Sequence, residues 1–176
     1  PAREFTAALE ARLAKQTGVA VTGKIYRINR DLRFARDAAP YNTHIHIGFS
    51  DPATGASWMV GLELDQVIVG YGAFAFDDAR LAAWRGAVAQ AAGDKLARLL
   101  VKLTGAGHRL DAPELKRVPS PWPQDHPRAA LLRRKSLALW TDGLALDTIY
   151  GEAGPARIAQ ALAAFRPLRA WWIDNL

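Results

Sequence analysis

Between Tyr41 and Phe76 the hydrophobic residues recur with a period of two. Tyr41, Thr43, Ile45, Ile47 and Phe49 alternate with Asn42, His44, His46 and Gly48. Trp58, Val60, Leu62 and Leu64 then alternate with Met59, Gly61 and Glu63, and "VIVGYGAFAF" follows from Val67. Successive side chains of a strand point to opposite faces, so this alternation marks half-buried strands. "SDPATGAS" is a turn by composition, and Asp65-Gln66 leaves room only for a tight reversal. Three strands joined by such short links pair most simply as an antiparallel meander. One face of it carries the large apolar residues. The other carries His44, His46, Gly48, Gly61 and Glu63 on the first two strands, with Gly70 and Gly72 on the third. Glycine inside a strand often marks close approach by a ligand or another backbone segment, so this mixed face is the first candidate for a pocket.

The rest of the chain alternates helical and irregular stretches. Phe5, Leu9 and Leu13 predict a helix over residues 3–17, and "VAVTGKIYRI" enters a strand near Lys24. Asp77 or Asp78 caps a helix with Leu81, Trp84 and Val88 inward. A second helix restarts at Gly93-Asp94, with Leu96, Leu99, Leu100 and Leu103 inward, and ends at Gly105. "RLDAPELKRVPSPWPQDHPR" reads as a long proline-rich connection, of the kind that is usually functional or flexible. Ala129 to Arg134 gives a helical turn, "SLALW" one more strand, and residues 155–165 a helix stopped by Pro167. The expected fold class is α+β: an antiparallel sheet, a meander of three to five strands, with helices packed on one side. Its 176 residues, half of them hydrophobic, suit a single domain over 1–176.

Charge bounds the partners. With 23 Lys+Arg against 17 Asp+Glu the net charge is +6, which favours a phosphorylated small molecule, nucleic acid or an acidic surface. The chain has no cysteine, which removes disulfides, thiolate metal sites and cysteine nucleophiles. Its first residues are amphipathic and charged rather than a secretory leader, and no apolar run nears the ~20 residues that cross a bilayer. A cytoplasmic protein without membrane contact is the expectation; the oligomeric state stays open. Walker phosphate loops, dinucleotide fingerprints and G-x-S-x-G elbows are absent, so no cofactor is expected. No RNP-like or helix-turn-helix pattern accompanies the basic charge.

One segment remains, "RINRDLRFARDAAPYNTHIH" at 27–46. On a helix, Arg27, Arg30, Arg33 and Arg36 would lie near one another; extended, Arg27 and Arg33 would share parity with Asp31 and Asp37. Arg-Asp pairs can lock guanidinium forks in place for a phosphate or carboxylate, or they can be weak surface pairs worth ~0–1 kcal/mol each. His44 and His46 point the same way from a strand and could share a metal with Glu63 opposite, although such pairs are frequent on half-exposed strands.

These residues resemble the signature R-I-x-R-D-x-R-F-S-K-D-K-x-P-Y-K-T-H of a widespread, mostly bacterial family, domain of unknown function 2461. "ELDQVIVGYGAF" resembles that family's strand pair ending in V-G-G-G. "LKRVPSPWPQDHPRAALLRRKS" resembles its L-K-R-x-P…D-H-P…L-x-x-K-S passage, and "FRPLRAWW" its closing helix. Here Ala38 and Asn42 stand where the family has lysines, and Ala35 where it has serine. Arg36 keeps a lysine's charge, and His46 falls where glycine is usual, which weighs against a metal. The resemblance also implies an N-terminal helical segment ahead of residue 1 in a full-length protein. It implies no activity. It does add weight to a site, with Arg27, Arg30, Asp31, Arg33, Arg36, Asp37, Tyr41 and Thr43 of the first passage and Lys116, Arg117, Asp125 and Lys135 of the second, joined by Glu63 from the reading of the strand face. In this reading both passages converge over the glycine-lined face, the cations hold an anion, and His44 or His126 is the titratable group. The rival readings are an enzyme with a histidine general acid-base, and Arg-Asp pairs that only anchor a long connection, as in a structural or protein-interaction domain.

Overall fold

Helix α1 (Ala2–Thr17) forms where Phe5, Leu9 and Leu13 recur a turn apart, and it stops at Gly18, whose φ of 72° favours glycine. Leu9 and Leu13 are fully buried. The structure, a computed structural model, describes residues 1–26 and 44–176. Within these, six strands form one antiparallel sheet: β1 (Thr22–Ile25), β2 (Ile45–Ser50), β3 (Ser57–Leu62), β4 (Val67–Ala73), β5 (Arg109–Leu110) and β6 (Leu137–Leu144). Their order across the sheet is β1-β2-β3-β4-β6-β5. The meander read from the period of two is thus its centre. The sheet exceeds the expected three to five strands because of β5, two residues paired with Leu139 and Trp140, too short to show a period.

The helices are α2 (Asp78–Val88), α3 (Ala91–Gly105), α4 (Ala129–Leu132), α5 (Gly154–Leu162) and α6 (Arg166–Asn175). Asp77 caps α2, its carboxylate accepting the Arg80 N–H at 2.8 Å. Two boundaries differ from expectation. The α3 helix starts before Gly93, which is buried in its first turn because a Cβ there would lie 2.0 Å from the Val88 carbonyl oxygen. Pro167 does not end the last helix. A 3-10 turn at Ala163–Phe165 leads into α6, where the proline sits in the first turn and its missing N–H leaves no bond unmade.

Ile47, Phe49, Trp58, Val60, Val69, Tyr71 and Leu139 line one face of the sheet and join Trp84, Ile158, Leu168 and Trp172 of the helices in a single core. The indole N–H of Trp84 donates to the Leu131 carbonyl at 3.1 Å and that of Trp171 to the Ala92 carbonyl at 2.9 Å, so the buried rings keep their polar edges satisfied. Under this face lies a polar cluster that composition does not show. Asp51, in the β2–β3 turn, is completely buried. Its carboxylate accepts from the Tyr71 hydroxyl at 2.9 Å, from Arg169 Nε at 2.7 Å and from Arg169 Nη2 at 3.2 Å. Thr54 lies 2.8 Å from the Tyr71 hydroxyl. One turn, one central strand and the last helix are thereby tied together. None of the described helices is long and apolar enough to cross a membrane.

Candidate anion-binding site

The register places His46 opposite Gly61, Gly61 opposite Ile68, Gly48 opposite Met59, Met59 opposite Gly70, and Gly70 opposite Trp140. Directly opposed residues share a face, so the mixed face predicted from the sequence exists. Its glycines, however, make room for neighbouring side chains. A Cβ on Gly48 would lie 3.1 Å from the Tyr26 ring, one on Gly61 2.6 Å from Ile68, and one on Gly70 2.5 Å from the Trp140 ring. These positions are small because rings and branched chains from adjacent strands lie across them.

At one end of this face the rings of His44 and His46 stack, with centroids 4.4 Å apart and planes 27° from parallel. Glu63 Oε1 comes within 3.6 Å of His46 Nε2, which is buried and hydrogen-bonded to nothing among the described residues. His46, set aside in the sequence reading, therefore stands between the other two. Among the described residues no three His, Asp or Glu side chains could hold a metal ion. The Tyr26 N–H donates to the His46 carbonyl at 2.9 Å. Tyr26 and His44, the residues that flank 27–43, thus lie at the same end of the sheet. Arg27, Arg30, Asp31, Arg33, Arg36, Asp37, Tyr41 and Thr43 fall outside the described residues.

The second passage gathers elsewhere. The Leu115 N–H donates to the Arg133 carbonyl at 3.0 Å and Arg133 Nη1 to the Lys116 carbonyl at 3.5 Å, which sets Lys116 and Arg117 beside the run Arg133, Arg134, Lys135. Lys116, Arg117 and Lys135 are exposed. Arg134 is only 6% exposed. Its Nη2 donates to the Asp111 carbonyl at 2.7 Å, and burial lowers its pKa against the opposing pull of Glu114 and Asp111. No carboxylate forms an ion pair with it among the described residues, and the Nε atoms of both Arg133 and Arg134 are buried without a partner. Nearby, burial would raise the Glu114 carboxyl, but the Ser136 hydroxyl and the Lys135 N–H, both donating to it, hold it below the usual range. The sequence reading had Lys116, Arg117 and Lys135 but not Arg133 or Arg134; the run "RRKS" was the signal available.

His126 and Asp125 are separate from this cluster in role. His126 Nδ1 accepts the Arg128 N–H at 3.0 Å, so the ring braces the entry to α4. Arg128 in turn donates to the Val88 and Ala89 carbonyls and pairs with Asp94 at 2.6 Å. Asp125 is exposed and bonds to nothing among the described residues. The two passages are not brought together by their described parts. The His44–Glu63 end is the end at which β4 begins and β6 finishes, whereas Lys135 precedes the start of β6, where β4 finishes. The length of β4, about 20 Å at ~3.3 Å per residue, separates them. Nor does a cavity of about 720 Å3 between α1, β2, β3 and the β6–α5 connection have any of the described candidates in its walls, which include Phe5, Ile45, Leu62 and Ile149.

The chain belongs to the conserved hypothetical proteins of the DUF2461 family, whose family model matches residues 1–171. Searches of the curated proteins and of the solved structures returned no match.

Proposed function

We propose that this protein binds an anion bearing phosphate or carboxylate groups, held by Lys116, Arg117, Arg133 and Lys135 beside Arg134. The observation that carries this reading is Arg134: a guanidinium almost removed from water, with an unpartnered Nε and no carboxylate paired to it among the described residues. Removing such a charge from water is costly unless an opposite charge meets it, and three exposed cations next to it would steer an anion there. A phosphorylated small molecule, or the backbone of a nucleic acid, has the required chemistry. Arg27, Arg30, Arg33 and Arg36, oriented by Asp31 and Asp37, enter the proposal as a second set of cations, with Tyr41 and Thr43 as neutral donors.

The test is titration with inorganic phosphate and with citrate, followed by calorimetry at low salt. Lys116→Ala with Lys135→Ala removes exposed charges that form no hydrogen bond or ion pair among the described residues, so the variant should melt as the parent does and bind at least about tenfold more weakly. Unchanged affinity in that variant refutes the assignment; Arg30→Gln with Arg33→Gln then decides whether the anion sits with the other set.

A second reading, general acid-base catalysis, draws support from the approach of Glu63 to His46, since a carboxylate beside an imidazole fixes its tautomer and orientation. It assigns the proton transfer to His44 or His46. Protonating His126 at Nδ1 would break its bond to the Arg128 N–H, which argues against a base there. Turnover of an aryl phosphate that persists in His44→Asn and His46→Asn would eliminate this reading.

A further inference from the structure

A second, smaller cavity, about 220 Å3, opens between the end of α1, Trp58 of β3 and the α5–α6 corner. Its apolar walls include Leu13, Trp58, Leu162 and Ile173, Gln16 and Thr17 lie at its α1 side, and its charged residues among those described are Arg166 and Arg169, with no carboxylate. The two arginines are a turn apart on α6 and so share a side of the helix. Arg169 is unusually well fixed. Its Nε and Nη2 donate to the completely buried Asp51, and its guanidinium carbon lies 5.7 Å from the centre of the Trp58 ring. That leaves Nη1, which hydrogen-bonds to nothing among the described residues and, unlike the Nε atoms of Arg133 and Arg134, is not completely buried.

We propose that this cleft is a binding site for a small monocarboxylate with an apolar body. The fixed Nη1 edge of Arg169 and the flexible Arg166 would share the carboxylate, while Leu13, Leu162 and Ile173 cover the hydrocarbon part. A guanidinium already held by Asp51 loses little freedom on binding, which is the gain that preorganisation gives. Phosphate suits the cleft less, because its remaining charged oxygens would face hydrocarbon. Size sets the class: the volume equals about seven waters at ~30 Å3 each, room for an acid such as benzoate but not for a nucleotide. This site is independent of the cation cluster proposed above.

The experiment is a titration of the isotope-labelled protein with benzoate, read from amide and indole shifts. Saturable shifts confined to residues 162–173 and the Trp58 indole are expected. Arg166→Gln should weaken binding about tenfold, the loss of one charge-assisted hydrogen bond. Ala163→Trp should abolish it by filling the cleft, and Lys116→Ala with Lys135→Ala should leave it unchanged. Arg169 itself is left intact, since its removal would strand Asp51. The proposal is overturned by shifts that do not saturate, by binding that survives both Arg166→Gln and Ala163→Trp, or by equal competition from cyclohexanol. Loss of binding in the lysine variant would also overturn it, because the acid would then be sitting in the other cluster.

Discussion

Replacing Asp51 with asparagine keeps shape and removes one charge, and the structure sets what that does. The Asp51 side chain has no exposure, and its two oxygens accept from Tyr71, from two nitrogens of Arg169 and from the Ala53 N–H at 3.2 Å. An asparagine keeps one acceptor oxygen and turns an NH2 group toward donors, so at least one of those contacts becomes repulsive. Arg169, whose side chain is 14% exposed, is then a largely buried cation without its counter-charge. Breaking a buried pair from one side costs about 3–5 kcal/mol, and the incompletely buried Nη1 edge puts this case near 3. For a chain of this size each kcal/mol moves the melting temperature by about 2–4 °C, so Asp51→Asn should melt about 6–12 °C below the parent. Urea titration followed by tryptophan fluorescence measures the free energy directly. Arg169→Met completes a double-mutant cycle, in which the pair should show a coupling above about 1 kcal/mol. A loss below about 1 kcal/mol in Asp51→Asn, or a coupling near zero, would refute the account of this cluster as a mutually dependent buried network.

Two further outcomes follow from other contacts. Burial first, then the Asp51 carboxylate, push the Tyr71 hydroxyl well above the ordinary tyrosine pKa. A raised folded pKa means its contribution is complete below about pH 10, where an unfolded tyrosine ionises, and is lost as pH climbs beyond that. Stability should fall by up to about 1.4 kcal/mol per pH unit from this group, and Tyr71→Phe, less stable at pH 8, should show a flatter alkaline profile; parallel urea profiles from pH 9 to 11 would contradict it. In Arg128→Met the stem still packs, but the Val88 and Ala89 carbonyls and Asp94 lose their shared donor. A loss of at least about 2 kcal/mol is expected, with faster amide exchange confined to the end of α2 and the start of α3.

The sheet was legible where side chains alternate over six or seven residues, because burial of one face enforces the period. The cap of α2 was legible for a similar reason: aspartate is a residue type favoured there, because its carboxylate accepts a free N–H of the first turn. What escaped was set by contacts distant in sequence. The pairing of Asp51 with Arg169 spans 118 positions, and nothing in "SDPATGAS" distinguishes a buried anchor from a solvated turn aspartate. Gly48 and Gly70 read as openings because the sequence shows an absent side chain but not the ring of Tyr26 or Trp140 that fills the space. Of the candidate site, the exposed cations Lys116, Arg117 and Lys135 were found as a motif, yet their neighbours Arg133 and Arg134 were passed over. Both close the stretch Ala129 to Arg134, which reads as a helical turn whose composition suggests only packing, whereas the helix ends at Leu132.

Spacing of arginine and aspartate is a poor guide to binding, and the described part of the chain shows why. Arg169 with Asp51, Arg128 with Asp94, and Arg109 with Asp142 and Asp111 all join elements of the fold, at 2.6–2.7 Å. For Arg128 and Arg109 the carboxylates spend the guanidinium's charge inside the protein, leaving little for a ligand, and at Arg169 the pairing with Asp51 leaves only the Nη1 edge and the neighbouring Arg166. Lys116-Arg117 and Arg133-Arg134-Lys135 have no such partner among the described residues and lie together, with Glu114 already engaged by Ser136 and the Lys135 N–H. By that criterion the alternation of Arg30, Asp31, Arg33 and Asp37 has the composition of a structural ladder, and "LKR" with "RRK" has that of an anion site. The two pairs of charge-removing substitutions therefore ask different questions. Loss of stability without loss of phosphate binding in Arg30→Gln with Arg33→Gln, and the reverse in Lys116→Ala with Lys135→Ala, would divide the two passages into scaffold and site. The opposite pattern would place the anion among the arginines and leave the buried charge of Arg134 as a matter of packing.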